Sequence, residues 1–195
     1  MADTREDIVV LENVRLGFPT LFTPKASVEG GALKYSVQPI IDPETPHGAK
    51  NLAKLKKAFD TAATKLWADK AAKIVKTLDA DRAGIKDGDL NTNKDGDTWS
   101  GFEGMKYITA SNRKRPQVLN RDKTPLTEED GVIYGGCYAD VVVSIWATKD
   151  NKLGGNGLFA TLEVVRFRKD GEPFGAASID ADDYLDDLEE EDDLV

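Results

Sequence analysis

Between Lys106 and Lys123 the chain carries Lys106, Arg113, Lys114, Arg115, Arg121 and Lys123 against one acid, Asp122. Cations at this density form either a solvated loop or a surface that meets phosphates. Aromatic residues surround the segment. Trp99 and Phe102 precede it, Tyr107 lies inside it, and Tyr138 and Trp146 follow on a strand-like run. Cations that track a backbone, interleaved with rings that stack on unpaired bases, are the chemistry of single-strand nucleic-acid binding. Each ring can equally be a core residue. Tyr138 and Trp146 fit stacking better, because the opposite face of their strand already supplies core.

Catalytic and metal chemistry find little support. Cys137 is the one cysteine, which excludes an intramolecular disulfide, and His47 is the one histidine. Histidine-dependent triads and most histidine metal sites are thereby disfavoured. Cys137 opens a strand and reads as a small buried hydrophobe. Asp140 is a single well-placed carboxylate, and one carboxylate does not make a site. Gly154-Gly155-Asn156-Gly157 lacks the Lys-Ser/Thr of a phosphate-binding loop. Asn91, Asn93, Asp95 and Gly96 fit the start of a calcium loop, but position 12 falls on Phe102 and Glu103 comes one residue late. These are read as turn residues. No metal, no cofactor and no enzymatic activity are expected.

The elements that must position the cations and rings are mostly strands. Ile8 to Phe18 reads as a strand stopped by Pro19, followed by a proline-rich loop to Lys25. Leu33 to Ile41 reads as a second strand, ended by Asp42-Pro43. Residues 49 to 78 are helical, with Leu52, Leu55, Phe59, Ala62 and Leu66 on one face and a break near Asp69. Phe102 to Ser111 reads as a strand feeding the basic loop. Cys137 to Thr148 alternates cleanly, with Ala139, Val141, Val143, Ile145 and Ala147 inward. Leu158 to Arg168 is the last strand, with Leu158, Ala160, Leu162 and Val164 inward. Five strands and one substantial helical segment predict a mainly β fold, an OB-fold-like five-stranded Greek-key barrel.

Net charge is -9, yet ten of the 35 acids lie from Asp180 onward with no base among them. The remaining acids nearly balance the 26 Lys and Arg. A block of like charge repels itself and is expected to form a disordered tail. The chain thus divides into a domain at 1–179 and an acidic tail at 180–195. Tyr184, Leu185, Leu188 and Leu194 interrupt the charges, the pattern of a docking peptide. No apolar run approaches the ~20 residues of a membrane helix, and Met1 to Asp7 lacks a basic region leading into an apolar one, so no secretory signal is expected.

Several short pieces occur together in a fixed order: Phe18 to Ala26, Lys34-Tyr35-Ser36, Ile85 to Asp89, Arg113-Lys114-Arg115-Pro116 with Val118, Tyr134 to Tyr138, and Arg168 to Pro173. In order and spacing the sequence resembles the bacteriophage single-stranded DNA-binding proteins long catalogued as a domain of unknown function. The resemblance runs from about Val14 to the C-terminus. It implies an OB-fold body that binds single-stranded DNA without sequence preference, in phage DNA replication, recombination or repair. It also implies an acidic tail that regulates binding and recruits replication or recombination proteins in the cytoplasm of the infected host.

The expected DNA-binding residues are Lys106, Tyr107, Arg113, Lys114, Arg115, Arg121, Tyr138 and Trp146. The expected partner-binding tail residues are Asp182, Asp183, Tyr184, Asp186, Asp187, Leu188, Glu189 and Glu190. Two other functions stay open at this point: an interaction adaptor whose tail docks basic partners, and a metal-dependent nuclease. A homodimer is also open.

Overall fold

The computed structural model describes residues 5–175. In chain order these form β1 (Ile8–Ala26), β2 (Leu33–Ile41), α1 (Pro46–Trp67), α2 (Ala71–Val75), β3 (Lys86–Asp87), β4 (Lys106–Tyr107), β5 (Ala110–Asn112), β6 (Gln117–Leu119), β7 (Tyr138–Thr148) and β8 (Gly157–Lys169). The acidic segment, with the expected docking residues Asp182 to Glu190, lies outside the described residues.

Five strands close on themselves. β1 pairs antiparallel with both β2 and β7, β2 with β5, and β7 with β8, while β5 runs parallel to β8. The circuit β1–β2–β5–β8–β7–β1 is the expected five-stranded Greek-key barrel, and closure removes the open edges of its main strands. The long helix enters between the second and third strands of this barrel. Its apolar side, Leu55, Phe59, Ala63 and Trp67, joins Val9, Leu11, Val143 and Ile145 in one core.

Local chemistry explains the helix. Thr45 caps it, its Oγ1 accepting the Gly48 N–H at 3.1 Å, and Pro46 occupies the first turn, where no N–H is needed. A turn at Ala68–Lys70 breaks it near Asp69, as the sequence predicts. The buried stripe is rotated from the expected one: Asn51, Ala58 and Ala63 are buried, while Leu52, Ala62 and Leu66 are only partly so. Asn51 explains the rotation. Its side-chain amide accepts the Glu12 N–H at 3.1 Å and donates to the Glu12 carbonyl at 2.8 Å. It supplies a strand-like partner where the β1–β7 register slips between Leu11 and Val14.

Three further expectations are corrected. The proline-rich segment after Phe18 is not a loop but a continuation of β1 to Ala26. The β1–β2 register shifts between Gly17 and Thr20 and again between Thr20 and Lys25, so Pro19 and Pro24 fall where the ladder is interrupted. Phe102 to Ser111 is not one strand: only Lys106–Tyr107 and Ala110–Asn112 are extended. On β8, Val164 is not inward with Leu162; Val165 and Phe167 are. Val143 pairs with Leu162 but Val142 pairs with Val164, so Glu163 is an extra residue that flips every side chain after it.

Candidate nucleic-acid interface

A groove of about 440 Å³ crosses the barrel wall over β2, β5 and β8. Alternation places Lys34, Ser36 and Gln38 of β2 on its floor, beside Thr109 and Ser111 at β5 and Phe159 and Thr161 of β8. Ser27 in the β1–β2 loop and Leu153 in the β7–β8 loop rim it, and Asp81, Arg82, Gly84 and Lys86 line the remaining side. Strands two and three of an OB barrel, with its first and last hairpin loops, form the surface on which that fold takes oligonucleotides.

Rings stand at both ends of the groove. At one end Trp146 lies beside Phe159, ring centroids 5.0 Å apart, and its Nε1–H donates to Thr161 Oγ1 at 3.1 Å. Trp146 remains 39% exposed, so the bond fixes its orientation while leaving surface free. At the other end Phe18 meets Trp99 edge-on at 5.2 Å, with 47% and 41% of the two side chains exposed. Phe18 holds φ at 44°, a strained value for a bulky residue. Beneath it, Phe102, Tyr107 and Ile40 form a small separate core.

The cations differ in their freedom. Lys86 donates to Thr109 Oγ1 at 3.3 Å, and among the described residues no carboxylate pairs with it. Burial holds its pKa below the usual lysine value, so its ammonium is short of solvation. Arg113, Lys114 and Arg115 are exposed and follow directly on Ser111 and Asn112. Arg115 lies over the Phe22 ring, 5.7 Å from its centroid.

Of the eight residues expected to meet DNA, Trp146 lines the groove, and Arg113, Lys114 and Arg115 follow in the chain shortly after Ser111, which also lines it. The other four are placed elsewhere. Tyr107 is 8% exposed, packed edge-on against Phe102, and burial raises its pKa; its ring is core and offers no free face. Lys106 is spent on Asp87 at 2.8 Å, an ion pair that draws the Asp87 carboxyl below its ordinary range. Arg121 lies over Phe167 beyond β6. Tyr138 sits between Arg15 and Lys169 and lines a different cavity, with Asn13 and His47. Eight residues of strand separate it from Trp146, about 26 Å at ~3.3 Å per residue.

Asp140 is likewise structural. It accepts the Asn13 N–H at 3.0 Å and pairs with Arg166 and Arg168, holding the β1 irregularity in place. Asn93, at the centre of the calcium-like loop, accepts the N–H groups of Asp95 and Asp97, a turn-forming arrangement. Cys137 is buried, and burial raises its thiol pKa, which keeps it protonated and unreactive.

Sequence reasoning missed Lys34, Lys86, Phe18 and Phe159. Lys34 and Phe18 lay inside motifs already singled out, without being assigned to the site. Lys86 lay inside the Ile85 to Asp89 motif as well, on β3 outside the barrel circuit, and Phe159 had no local signal.

The chain is similar to several known proteins. The single-stranded DNA-binding protein from bacteriophage Enc34, solved in complex with ssDNA, superposes with a TM-score of 0.70 at 28% identity, covering 88% of this chain and 91% of that one. The single-stranded DNA-binding protein gp2.5 of bacteriophage T7 shares the fold, with a TM-score of 0.54 at 15% identity over 94% and 97% of the two chains. The p50 protein of Acyrthosiphon pisum secondary endosymbiont phage 1 is 35% identical over 190 residues, 94% of this chain and 96% of that protein. The family model described as Enterobacter phage Enc34, ssDNA-binding protein, matches residues 7–195, and the chain belongs to that family.

Proposed function

We propose that this protein binds single-stranded DNA without sequence preference and acts in phage DNA replication, recombination or repair. The observation that carries the reading is the groove itself: it lies on the OB-fold's oligonucleotide face and combines exposed rings with cations free to meet phosphates. The family relationship supports the same reading.

Each part of the groove has a distinct task. Trp146 at one end, and Phe18 with Trp99 at the other, offer faces and edges to bases. Lys34, Lys86 and the Arg113-Lys114-Arg115 run meet the backbone. Ser36, Thr109, Ser111 and Thr161 line the floor, and hydroxyls donate or accept as required. Such a surface holds any base, which suits a protein that coats whatever strand is exposed. Action is stoichiometric: bound strands are kept from hairpins, reannealing and nucleases.

The acidic tail, Asp182 to Glu190 in particular, is assigned to replication or recombination proteins, and it competes with DNA for the basic surface when free. The site of action is the cytoplasm of the infected bacterial host; no helix among the described residues is long and apolar enough to cross a membrane.

Electrophoretic titration against matched single- and double-stranded oligonucleotides tests the reading. Single strands bind more tightly, with little dependence on sequence. Equal affinity for duplex removes the stacking argument, and binding to neither removes the function.

A further inference from the structure

Arg82 has the charge and the position of a phosphate ligand, yet its bonds go elsewhere. Nε donates to the Asn156 carbonyl at 2.8 Å, and one terminal nitrogen donates to the carbonyls of Leu153 at 3.0 Å and Gly155 at 2.9 Å. All three acceptors belong to the β7–β8 loop, which turns through Gly154 and Gly155 at φ 86° and 83°. The guanidinium also lies over the Phe159 ring, 5.0 Å from its centroid. Gly157 leaves room for this stack: a Cβ there would fall 2.5 Å from Phe159 and 3.0 Å from Arg82. Phe159 in turn supports Trp146 across the hairpin.

We infer that Arg82 is a positioning residue for the DNA groove: it staples the β7–β8 loop and backs the Phe159–Trp146 wall, and it does not contact phosphate. The inference rests on the binding function proposed above. Asp150 closes the turn at Asn151–Leu153 through the N–H groups of Lys152, Leu153 and Gly155. But the carbonyls of Leu153, Gly155 and Asn156 past that turn take their bonds from Arg82, and the two glycines there have little intrinsic preference for one conformation. A planar fork can reach three carbonyls and stack on a ring at once. The point charge of a lysine cannot do both. Without the fork the loop samples other conformations, and affinity falls by the fraction of time the wall is formed.

Three variants and three readouts test this on the full chain. Arg82→Lys and Arg82→Ala each weaken binding of an oligothymidylate, both on the order of 10-fold, as a wall formed about a tenth of the time requires. The dependence of log affinity on log salt keeps its wild-type slope in both, because no phosphate contact is lost. In the protein without DNA, amide hydrogen exchange quickens at residues 150–157 in both variants and stays unchanged in α1. Lys34→Ala serves as the contrast: it flattens the salt slope and leaves loop exchange alone. If Arg82→Lys binds as wild type while Arg82→Ala flattens the slope by about 0.7, Arg82 is a phosphate ligand and the inference is overturned. Loop amides that stay protected in Arg82→Ala overturn it whatever the protein binds. Failure of wild type to bind single strands instead refutes the function.

Discussion

Trp146 and Phe159 face each other as directly paired residues of β7 and β8, their ring centroids 5.0 Å apart and their planes inclined by 35°. This cross-strand pair makes one exposed ring rigid. A free tryptophan loses rotamer freedom when a base stacks on it. Here the hairpin and the Nε1–H bond to Thr161 have already removed that freedom.

Trp146 is therefore the ring whose loss matters most. Trp146→Ala weakens single-strand binding by about 1–3 kcal/mol, the range for one stacked base. Trp146→Phe keeps part of that affinity, because a smaller face remains. Both variants melt close to wild type, since Trp146 lies at the surface with 39% of it in solvent. Isothermal titration and thermal denaturation check this together. A large loss of melting temperature with unchanged affinity assigns the ring to the core.

The exposed cations act by charge alone. Changing Arg113, Lys114 and Arg115 together to Ala lowers affinity and flattens the salt slope by about 0.7 for each phosphate contact removed. Stability changes by no more than about 0.5 kcal/mol per position, as at other exposed sites. Titrations at four salt concentrations give the slope. An unchanged slope takes these three residues off the DNA path.

Lys86 carries a trade-off. Its ammonium is partly desolvated, and the charge of Asp81 offsets only part of that cost, which opposes folding. Lys86→Met removes that charge while keeping the length of the stem. The variant melts at or above the wild-type temperature and binds single strands less tightly. A destabilised variant with wild-type affinity contradicts this account of the groove.

At alkaline pH the buried acids decide stability. Burial pushes the Cys137 thiol and the Tyr107 phenol above their ordinary pKa values, so the folded state holds protons that the unfolded chain has released. Their contribution is complete below pH ~8.5, the ordinary cysteine value, and declines as pH rises past it. Lys86 works in the opposite sense: with its pKa lowered from 10.5, it favours folding as it loses its proton. Cys137→Ala therefore loses less melting temperature between pH 8 and 10 than wild type does. Equal losses remove the thiol from the account.

What could be read from the sequence followed from periodicity and local punctuation. The bounds of β2, the alternation of β7 and the break after Trp67 depend on residues within a few positions of each other. The extension of β1 past Pro19 and the face reversal at Glu163 depend on where a partner strand slips register, which no local pattern records. The groove divides in the same way. Trp146 and the Arg113 cluster announce themselves by type. Tyr107 carries an equally strong local signal, yet it is buried because Phe102 and Ile40 converge on it from elsewhere in the chain. Lys86 lay in a recognised motif whose place beside the groove only the pairing of β3 with β4 sets, and Phe159 gains meaning only through barrel closure.

The central claim is that single-stranded DNA lies along the groove over β2, β5 and β8. Photo-crosslinking tests it most directly. An oligothymidylate carrying 5-iodouracil, bound to the full chain and irradiated, is mapped to residues by mass spectrometry. The account predicts adducts at Trp146 and at Phe18 or Trp99, lost on addition of unlabelled single strand. Adducts concentrated at Tyr138, in the cavity about 26 Å along β7 by its ~3.3 Å rise per residue, or on α1 would contradict it.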